Sequence, residues 1–290
     1  MKKVKVGIIG TGNIGIDLLI KVQRSKFLEC SIFTGRNPDS KGMKIAKELG
    51  VAVSSDSIKA IEDNPNMCEI VFDATSARSH VYHAKILEKL NKFVVDLTPS
   101  RVGKMCIPVL NMDECLDVRN VNLVTCGGQA ATPIAYAIMQ VHPETKYIEV
   151  VASVSSVSAG PGTRINIDEY TQTTKDSIIA FSKVPSAKAI IILNPAEPPI
   201  TMHNTIYALI ENPRIQELHH AISAITEKIR EYVPGYKVTL GPLKDKDRVT
   251  TMIEVVGRGD YLPKYSGNLD IITCAAVKVA EEYAKKKLLK

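Results

Sequence analysis

The sequence predicts an α/β fold in two parts: a Rossmann-type doubly wound parallel sheet, then a second α+β domain on a mixed or largely antiparallel sheet. Short β-branched runs alternate with helical patterns through the first half, as strand–helix–strand units of a parallel sheet do. From about Tyr147 the pattern changes to strand-like runs with few helices between them, the mark of a sheet built largely from neighbouring antiparallel strands. A length of 290 residues suits two domains.

The elements follow in order. Val4–Ile9 is a continuous apolar run, succeeded by Gly10-Thr11-Gly12-Asn13-Ile14-Gly15 and a helical stretch to about Arg24. Leu28–Thr34 reads as the second strand. Ile70–Phe72 ends at Asp73, and a helix with Ala84, Leu87 and Leu90 on one face follows. Phe93–Val95 leads into Asp96-Leu97-Thr98-Pro99-Ser100, and Val121–Thr125 closes the set with Cys126 at its carboxyl end. In the second part Tyr147–Ser155, Lys188–Leu193, Thr201–Ile210, Tyr236–Leu240 and Val249–Val256 are strand-like. One strong helix, about Ile215–Tyr232, interrupts them, and Lys244-Asp245-Lys246-Asp247 reads as an exposed hairpin connection. A last helix, from Leu269 to about Leu289, is expected to pack back onto the first domain. The expected division is a dinucleotide-binding domain at 1–128, completed by 268–290, and a catalytic and dimerisation domain at 129–267.

Composition excludes several classes. The charge of +6, from 37 basic and 31 acidic residues, comes partly from Lys285, Lys286, Lys287 and Lys290, a pattern of solvated helix end. Aromatic residues do not interleave with basic ones, so a nucleic-acid partner is not expected. The opening Met-Lys-Lys-Val-Lys-Val runs straight into a strand, so no signal peptide is expected, and no apolar run reaches bilayer-spanning length. Cys30, Cys68, Cys106, Cys115, Cys126 and Cys274 form no CxxC pair and no Cys/His ligand spacing. Reduced thiols, no metal site and a cytoplasmic location are therefore expected.

Two segments carry chemistry. Gly10-x-Gly12-x-x-Gly15 follows a strand and opens a helix, the context a dinucleotide fingerprint requires. The first glycine permits the tight turn, Gly12 admits the pyrophosphate to the backbone, and Gly15 lets helix and strand approach; the helix N-terminus then holds the anion. The second strand ends in Thr34-Gly35-Arg36-Asn37, with no carboxylate before Asp39. NAD enzymes usually place an acid there for the ribose 2′-hydroxyl, whereas Arg36 suits a 2′-phosphate. The alternative is a surface arginine over the adenine, so NAD and NADP both stay open. Cys126 stands in Thr125-Cys126-Gly127-Gly128-Gln129-Ala130-Ala131-Thr132-Pro133. The glycines are expected to turn the chain into a helix beginning near Ala130, with Pro133 in its first turn. A thiol at a helix start is biased toward thiolate, and nearby amides such as those of Gly127 and Gly128 suit an oxyanion. The other reading of any one cysteine is a buried inert thiol.

These segments, with Val71-Phe72-Asp73-Ala74-Thr75-Ser76, Asp96-Leu97-Thr98-Pro99, Ser158-Ala159-Gly160-Pro161-Gly162-Thr163-Arg164, Asn194-Pro195-Ala196-Glu197-Pro198-Pro199 and Tyr265-Ser266-Gly267-Asn268-Leu269-Asp270-Ile271, run in order through nearly the whole chain. Together they resemble the acylating acetaldehyde dehydrogenases of aromatic-ring meta-cleavage pathways. The resemblance implies oxidation of a short aldehyde by NAD or NADP, with coenzyme A as co-substrate and the acyl thioester on Cys126. It implies dinucleotide contacts from Thr11, Gly12, Asn13 and Ile14, from Ser158, Ala159, Gly160, Pro161, Gly162, Thr163, Arg164, Ile165 and Asn166, and from Asn268. In the loop, Arg164 offers a donor fork for phosphate or carboxamide; a structural turn is the alternative. As a partner the resemblance implies a 4-hydroxy-2-oxovalerate-type aldolase, and the extended sheet of the second domain suits a homo-oligomer. The chain departs from the family where an Arg-Asp pair is usual and His203-Asn204 stands; an amide cannot act as a base, and His203 is either the alternative acceptor or a satisfied structural histidine. The stretch from Tyr236 to Tyr261 is also shorter than the family's. A phosphorylating semialdehyde-type dehydrogenase and a non-catalytic dinucleotide-sensing protein are the rival readings.

Overall fold

The computed structural model describes residues 3–160, 163–164 and 167–288. The chain divides into two compact units, Met1–Leu123 with Thr273–Lys290, and Val124–Ile272. The first holds strands β1 (Val4–Ile9), β2 (Leu28–Thr34), β3 (Val53–Ser54), β4 (Ile70–Asp73), β5 (Phe93–Asp96), β6 (Lys104–Met105) and β7 (Asn120–Asn122). Helices α1 (Asn13–Arg24), α2 (Lys41–Glu48), α3 (Ile58–Asp63), α4 (Ala77–Lys89) and α5 (Pro108–Cys115) connect them. All seven strands are parallel, in the order β3-β2-β1-β4-β5-β7-β6. The winding reverses between β1 and β4, the switch point at which such sheets receive ligand. Register aligns the carboxyl ends there: Ile9 pairs with Thr34 and Asp73, Asp73 with Asp96, and Asp96 with Asn122. Ile9, Ile32, Ile61, Val71, Leu87 and Val94 are buried in one cluster of the core.

Behind those strand ends lies a buried polar network. Asp73 Oδ2 meets Nδ1 of His80 at 2.9 Å and Nδ1 of His83 at 2.8 Å, and His80 Nε2 lies 3.4 Å from Asp96 Oδ2. Asn122 donates to Asp96 at 2.7 Å, and the Ser100 hydroxyl does so at 2.6 Å. Polar groups this deep persist because each finds a partner.

The second unit contains α6 (Cys126–Val141), β8 (Tyr147–Ser155), α7 (Ile167–Ser182), β9 (Ser186–Asn194), β10 (Met202–Leu209), α8 (Ile215–Arg230), β11 (Tyr236–Asp245) and β12 (Arg248–Val255). Its sheet runs β11-β12-β10-β8-β9, antiparallel except for the parallel pair β8/β9, hence mixed. Ile148, Val150, Ala152, Val154, Ile206, Ala208, Val249, Ile253 and Val255 alternate along three strands and are buried, the period-2 pattern of a sheet with one covered face. The final helix, α9 (Gly267–Leu288), contributes its residues from Thr273 onward to the first unit. There the ring of Tyr283 stacks on Phe93 with centroids 3.9 Å apart.

Two local expectations are corrected. The strand before Cys126 stops at Asn122, and helix α6 begins at Cys126 itself. Gly127 and Gly128 therefore lie in its first turn and do not link strand to helix. Pro133 accordingly sits inside α6. A helix-interior proline removes one ladder bond; here nearly every α6 residue from Gly127 to Met139 is buried, and packing outweighs propensity. The strand-rich second part also holds α7, a sixteen-residue helix. Its Thr171, Thr173 and Thr174 are poor helix formers, and its tertiary contacts fix it instead.

Candidate active site

In the first unit the three loop glycines have separable jobs. Gly10 takes φ +116°, and a side chain there would overlap the Ala74 carbonyl that follows β4. A Cβ on Gly15 would overlap the Gly10 carbonyl, so helix α1 closes on β1 only through glycine. Gly12 has nothing within 4 Å of where a Cβ would stand. It caps α1 without a side-chain hydrogen bond, and no acid lies in the first turn. Open backbone and an uncapped positive helix end form a cradle that fits a pyrophosphate. Thr11 packs against Gly35 and Gly42, while Asn13 is exposed and Ile14 half-buried. Arg36 is exposed just past β2, with no side-chain partner among the described residues.

In the second unit the structure brings the Ser158 loop to Asn268. The Asn268 amide donates to the Ser158 carbonyl at 3.5 Å, and its Oδ1 is buried without a partner. Ser158 and Ala159 are buried, the Ser158 hydroxyl donates to the Ser155 carbonyl at 2.9 Å, and Gly160 faces open space. Thr163 is half-buried, its N–H bonded to the Gly160 carbonyl at 3.1 Å. The Arg164 fork turns inward to its own loop: Nε donates to Ala159 O at 3.1 Å, and Nη2 to Ser156 O and Oγ at 2.8 Å each. The guanidinium thus braces the turn, which its proximity to these carbonyls favours over the expected free fork. Pro161, Gly162, Ile165 and Asn166 lie outside the described residues.

Cys126 is the first residue of α6 and is half-buried; the other five cysteines are buried. Thr125 caps the helix, accepting the Gly128 N–H at 2.9 Å, so that amide is committed and unavailable to an oxyanion. Val124, just before the cap, holds φ +53°, a region β-branched residues avoid. The Tyr170 hydroxyl lies 3.5 Å from Sγ. Asn204, 1% exposed on β10, donates to the Gly127 carbonyl at 3.3 Å and keeps a buried Oδ1 without a partner. His203 alternates to the opposite face of the strand, with Nδ1 3.0 Å from the Thr201 carbonyl. It therefore does not replace a base beside the sulfur.

The expected bias toward thiolate is also corrected for the free protein. Burial pushes the Cys126 thiol up, and the Tyr170 hydroxyl and the backbone N–H groups of Gly127 and Cys126 pull it back only in part. Tyr170 and Asn204 carry no local motif. Their proximity to Cys126 arises from contacts between α6, α7 and β10.

Among the described residues no helix is long and apolar enough to cross a membrane, and no cluster of three or more His, Cys, Asp or Glu could hold a metal ion. The family described as prokaryotic acetaldehyde dehydrogenase, dimerisation, matches residues 126–263, a span beginning on the half-buried cysteine. Acetaldehyde dehydrogenase of Pectobacterium atrosepticum is 55% identical over 282 residues, 97% of this chain and 95% of its own. That of Geobacillus stearothermophilus is 53% identical over 290 residues, 99% of this chain and 98% of its own. Among solved structures, aspartate semialdehyde dehydrogenase with NADP from Candida albicans matches at TM-score 0.68 and 13% identity, covering 100% of both chains. Aspartate semialdehyde dehydrogenase II complexed with ASA from Vibrio cholerae matches at 0.65 and 12%, covering 98% of this chain and 99% of its own. Those two likenesses concern the fold. With identities of 50–55% along nearly the full length, the chain belongs to the acetaldehyde dehydrogenase family, whose members are oxidoreductases acting on aldehydes.

Proposed function

We propose that the protein is a CoA-acylating aldehyde dehydrogenase that turns acetaldehyde or another short aldehyde into acyl-CoA through a thioester on Cys126. The observation that carries this reading is Cys126 at the first position of α6, half-buried, with a hydroxyl on its sulfur and N–H groups beside it. Cys126 Sγ attacks the aldehyde carbonyl carbon. The Gly127 N–H, free of the cap that takes Gly128, is the donor for the oxygen that becomes negative. A nicotinamide dinucleotide, when bound at the Gly10–Gly15 cradle, supplies the hydride acceptor. Loss of hydride leaves the acyl group on Sγ; the coenzyme A thiol then attacks it, and Cys126 leaves as thiolate. Splitting the oxidation at a covalent intermediate gives two accessible steps in place of one. The orphaned Asn268 Oδ1 beside the Ser158 loop suits an amide donor such as the nicotinamide carboxamide. Arg36 suits a 2′-phosphate, which supports use of NADP as well as NAD.

The family's description as a dimerisation region supports a homo-oligomer. The half-exposed face of the second sheet, with Ile192 and Leu209 at 44% and 46% exposure, offers the surface. An aldolase of the 4-hydroxy-2-oxovalerate type is the partner this reading assigns as the aldehyde source.

The test follows reduced-nicotinamide absorbance with acetaldehyde and coenzyme A, separately with NAD and NADP, for wild type and Cys126→Ser. Turnover should require coenzyme A and fall by about 10³-fold or more in the variant. Turnover supported by inorganic phosphate in place of coenzyme A, or retained in Cys126→Ser, would overturn the reading.

A further inference from the structure

Helix α7 presents a stripe of hydroxyls to α6. Tyr170, Thr174 and Ser177, spaced i, i+4 and i+7, share one helix face. They meet Cys126 Sγ at 3.5 Å, Thr125 Oγ1 at 2.7 Å and Thr132 Oγ1 at 3.0 Å respectively. Glycine makes the approach possible: a Cβ on Gly127 would overlap the Tyr170 hydroxyl, and one on Gly128 would stand 3.0 Å from Ser177 Oγ. The paired glycines thus clear a slot for α7.

The protons along this stripe can be assigned. Thr174 gives its proton to the Tyr170 carbonyl at 2.8 Å, and Ser177 gives its own to the Thr174 carbonyl at 2.8 Å. Thr125 must then donate to Thr174, and Thr132 to Ser177, since each hydroxyl has one proton. Thr125 in turn accepts from the Gly128 N–H. The phenol of Tyr170, only 6% exposed, lies 3.5 Å from the sulfur and also meets the Gly127 N–H and the Thr125 hydroxyl. The Gly127 N–H can only donate, and Thr125 Oγ1 already accepts from Gly128 and gives its proton to Thr174, so the buried phenol proton is left to the sulfur.

We infer that Tyr170 is a catalytic residue: from the slot left by Gly127 its hydroxyl donates to Cys126 Sγ and holds the sulfur, as thiolate, in the position from which it attacks. This rests on the reading of Cys126 as the nucleophile. The phenol keeps its proton throughout, and the thiol proton leaves to solvent. Burial and the neighbouring sulfur push the phenol well above its ordinary value, so it stays a donor. Among the described residues no ionised side chain acts on the sulfur: α7 offers Tyr170, β10 the neutral Asn204, β8 Ala152, and α6 its own N–H groups. His203 points to the other face of β10. With so few groups present, removing one hydroxyl has a readable effect.

The experiment measures alkylation of Cys126 by iodoacetamide against pH in the full chain, with Cys126→Ser subtracting the other thiols. Tyr170→Phe keeps the ring and deletes the donor. Its profile should move up by about one pH unit, making alkylation about tenfold slower at a fixed pH below the midpoint. The turnover number should fall while KM for the aldehyde holds. Gly127→Ala, which crowds the hydroxyl away without removing it, should shift the profile in the same direction and carries the test if Tyr170→Phe does not fold. A profile in either folded variant that overlays wild type, even with a lowered melting temperature, overturns the inference. Activity retained in Cys126→Ser would instead overturn the proposed reaction, while the alkylation profile still reads the contact.

Discussion

Val124 keeps a β-branched side chain in the left-handed region at φ +53° while only 1% exposed. Such strain persists only where the surroundings over-determine it, and here it turns the chain so that Thr125 caps α6 and Cys126 opens it. Arg36 is a different kind of residue, exposed and unengaged, so its replacement tests binding with little effect on folding. Arg36→Ala should raise KM for NADP about tenfold and leave that for NAD nearly unchanged, as initial rates with each cofactor would report; equal effects on both would make it an adenine-face arginine. Sequence made the geometry of Gly10, Gly12 and Gly15 legible because each constraint is local: a turn, an open approach, a close packing; it marked Cys126 too, but placed the helix start near Ala130 and not at the cysteine. Tyr170 was illegible, and Asn204 was marked only by the resemblance, as an amide where the family has a carboxylate. They lie 44 and 77 positions from their partners at the site, and a tyrosine in an ordinary amphipathic stretch carries no mark of what it will face.

Helix α1 carries a buried ion pair whose carboxylate also ties it to α9. Asp17 takes Lys21 Nζ at 2.6 Å and the Thr273 hydroxyl at 2.6 Å, with Asp17 and Lys21 only 1% and 6% exposed. Asp17→Ala would remove the carboxylate shared by Lys21 and Thr273 and should lower unfolding stability by about 3–5 kcal/mol, measured by urea denaturation; a loss below about 1 kcal/mol would mean that the other contacts of Lys21 suffice. The pair also shows what pattern reading captures at this scale. The final helix was legible from its length and its apolar spacing, whereas α7 was not, because its threonines argue against helix. The start of α6 was misjudged for a related reason. Gly127 and Gly128 read as a turn when sequence is the only guide, and their helical state depends on the α7 side chains for which they make room.

Across the first unit the Asp73–His80–Asp96 network makes stability depend on pH. Burial works against a charged His80, but the hydrogen bond to Asp73 and the charges of Asp96 and Asp73 outweigh it, so His80 is raised above its ordinary 6.5. Its contribution is fully present below 6.5 and is lost as pH rises through the raised value. Asp73 is lowered: burial opposes this, and the His80 and His83 hydrogen bonds outweigh it. Its contribution is present above 3.8 and lost as pH falls through the lowered value. Urea midpoints taken from about pH 6 to 9 should decline in wild type and flatten in His80→Gln; parallel slopes would sink the assignment. The doubly wound parallel sheet was legible as a whole, since alternating strand and helix periods admit few windings. The network was not, because residues 73, 80, 83 and 96 meet only when β4, α4 and β5 assemble. Because the first unit is closed by Thr273 onward while Val124–Ile272 forms the second, a chain made from its amino end presents a complete second unit before the first has its last helix. During synthesis the α1 surface around Asp17 is therefore left waiting, and ribosome-bound chains halted before the last helix should hold a folded second unit and an unfinished first unit.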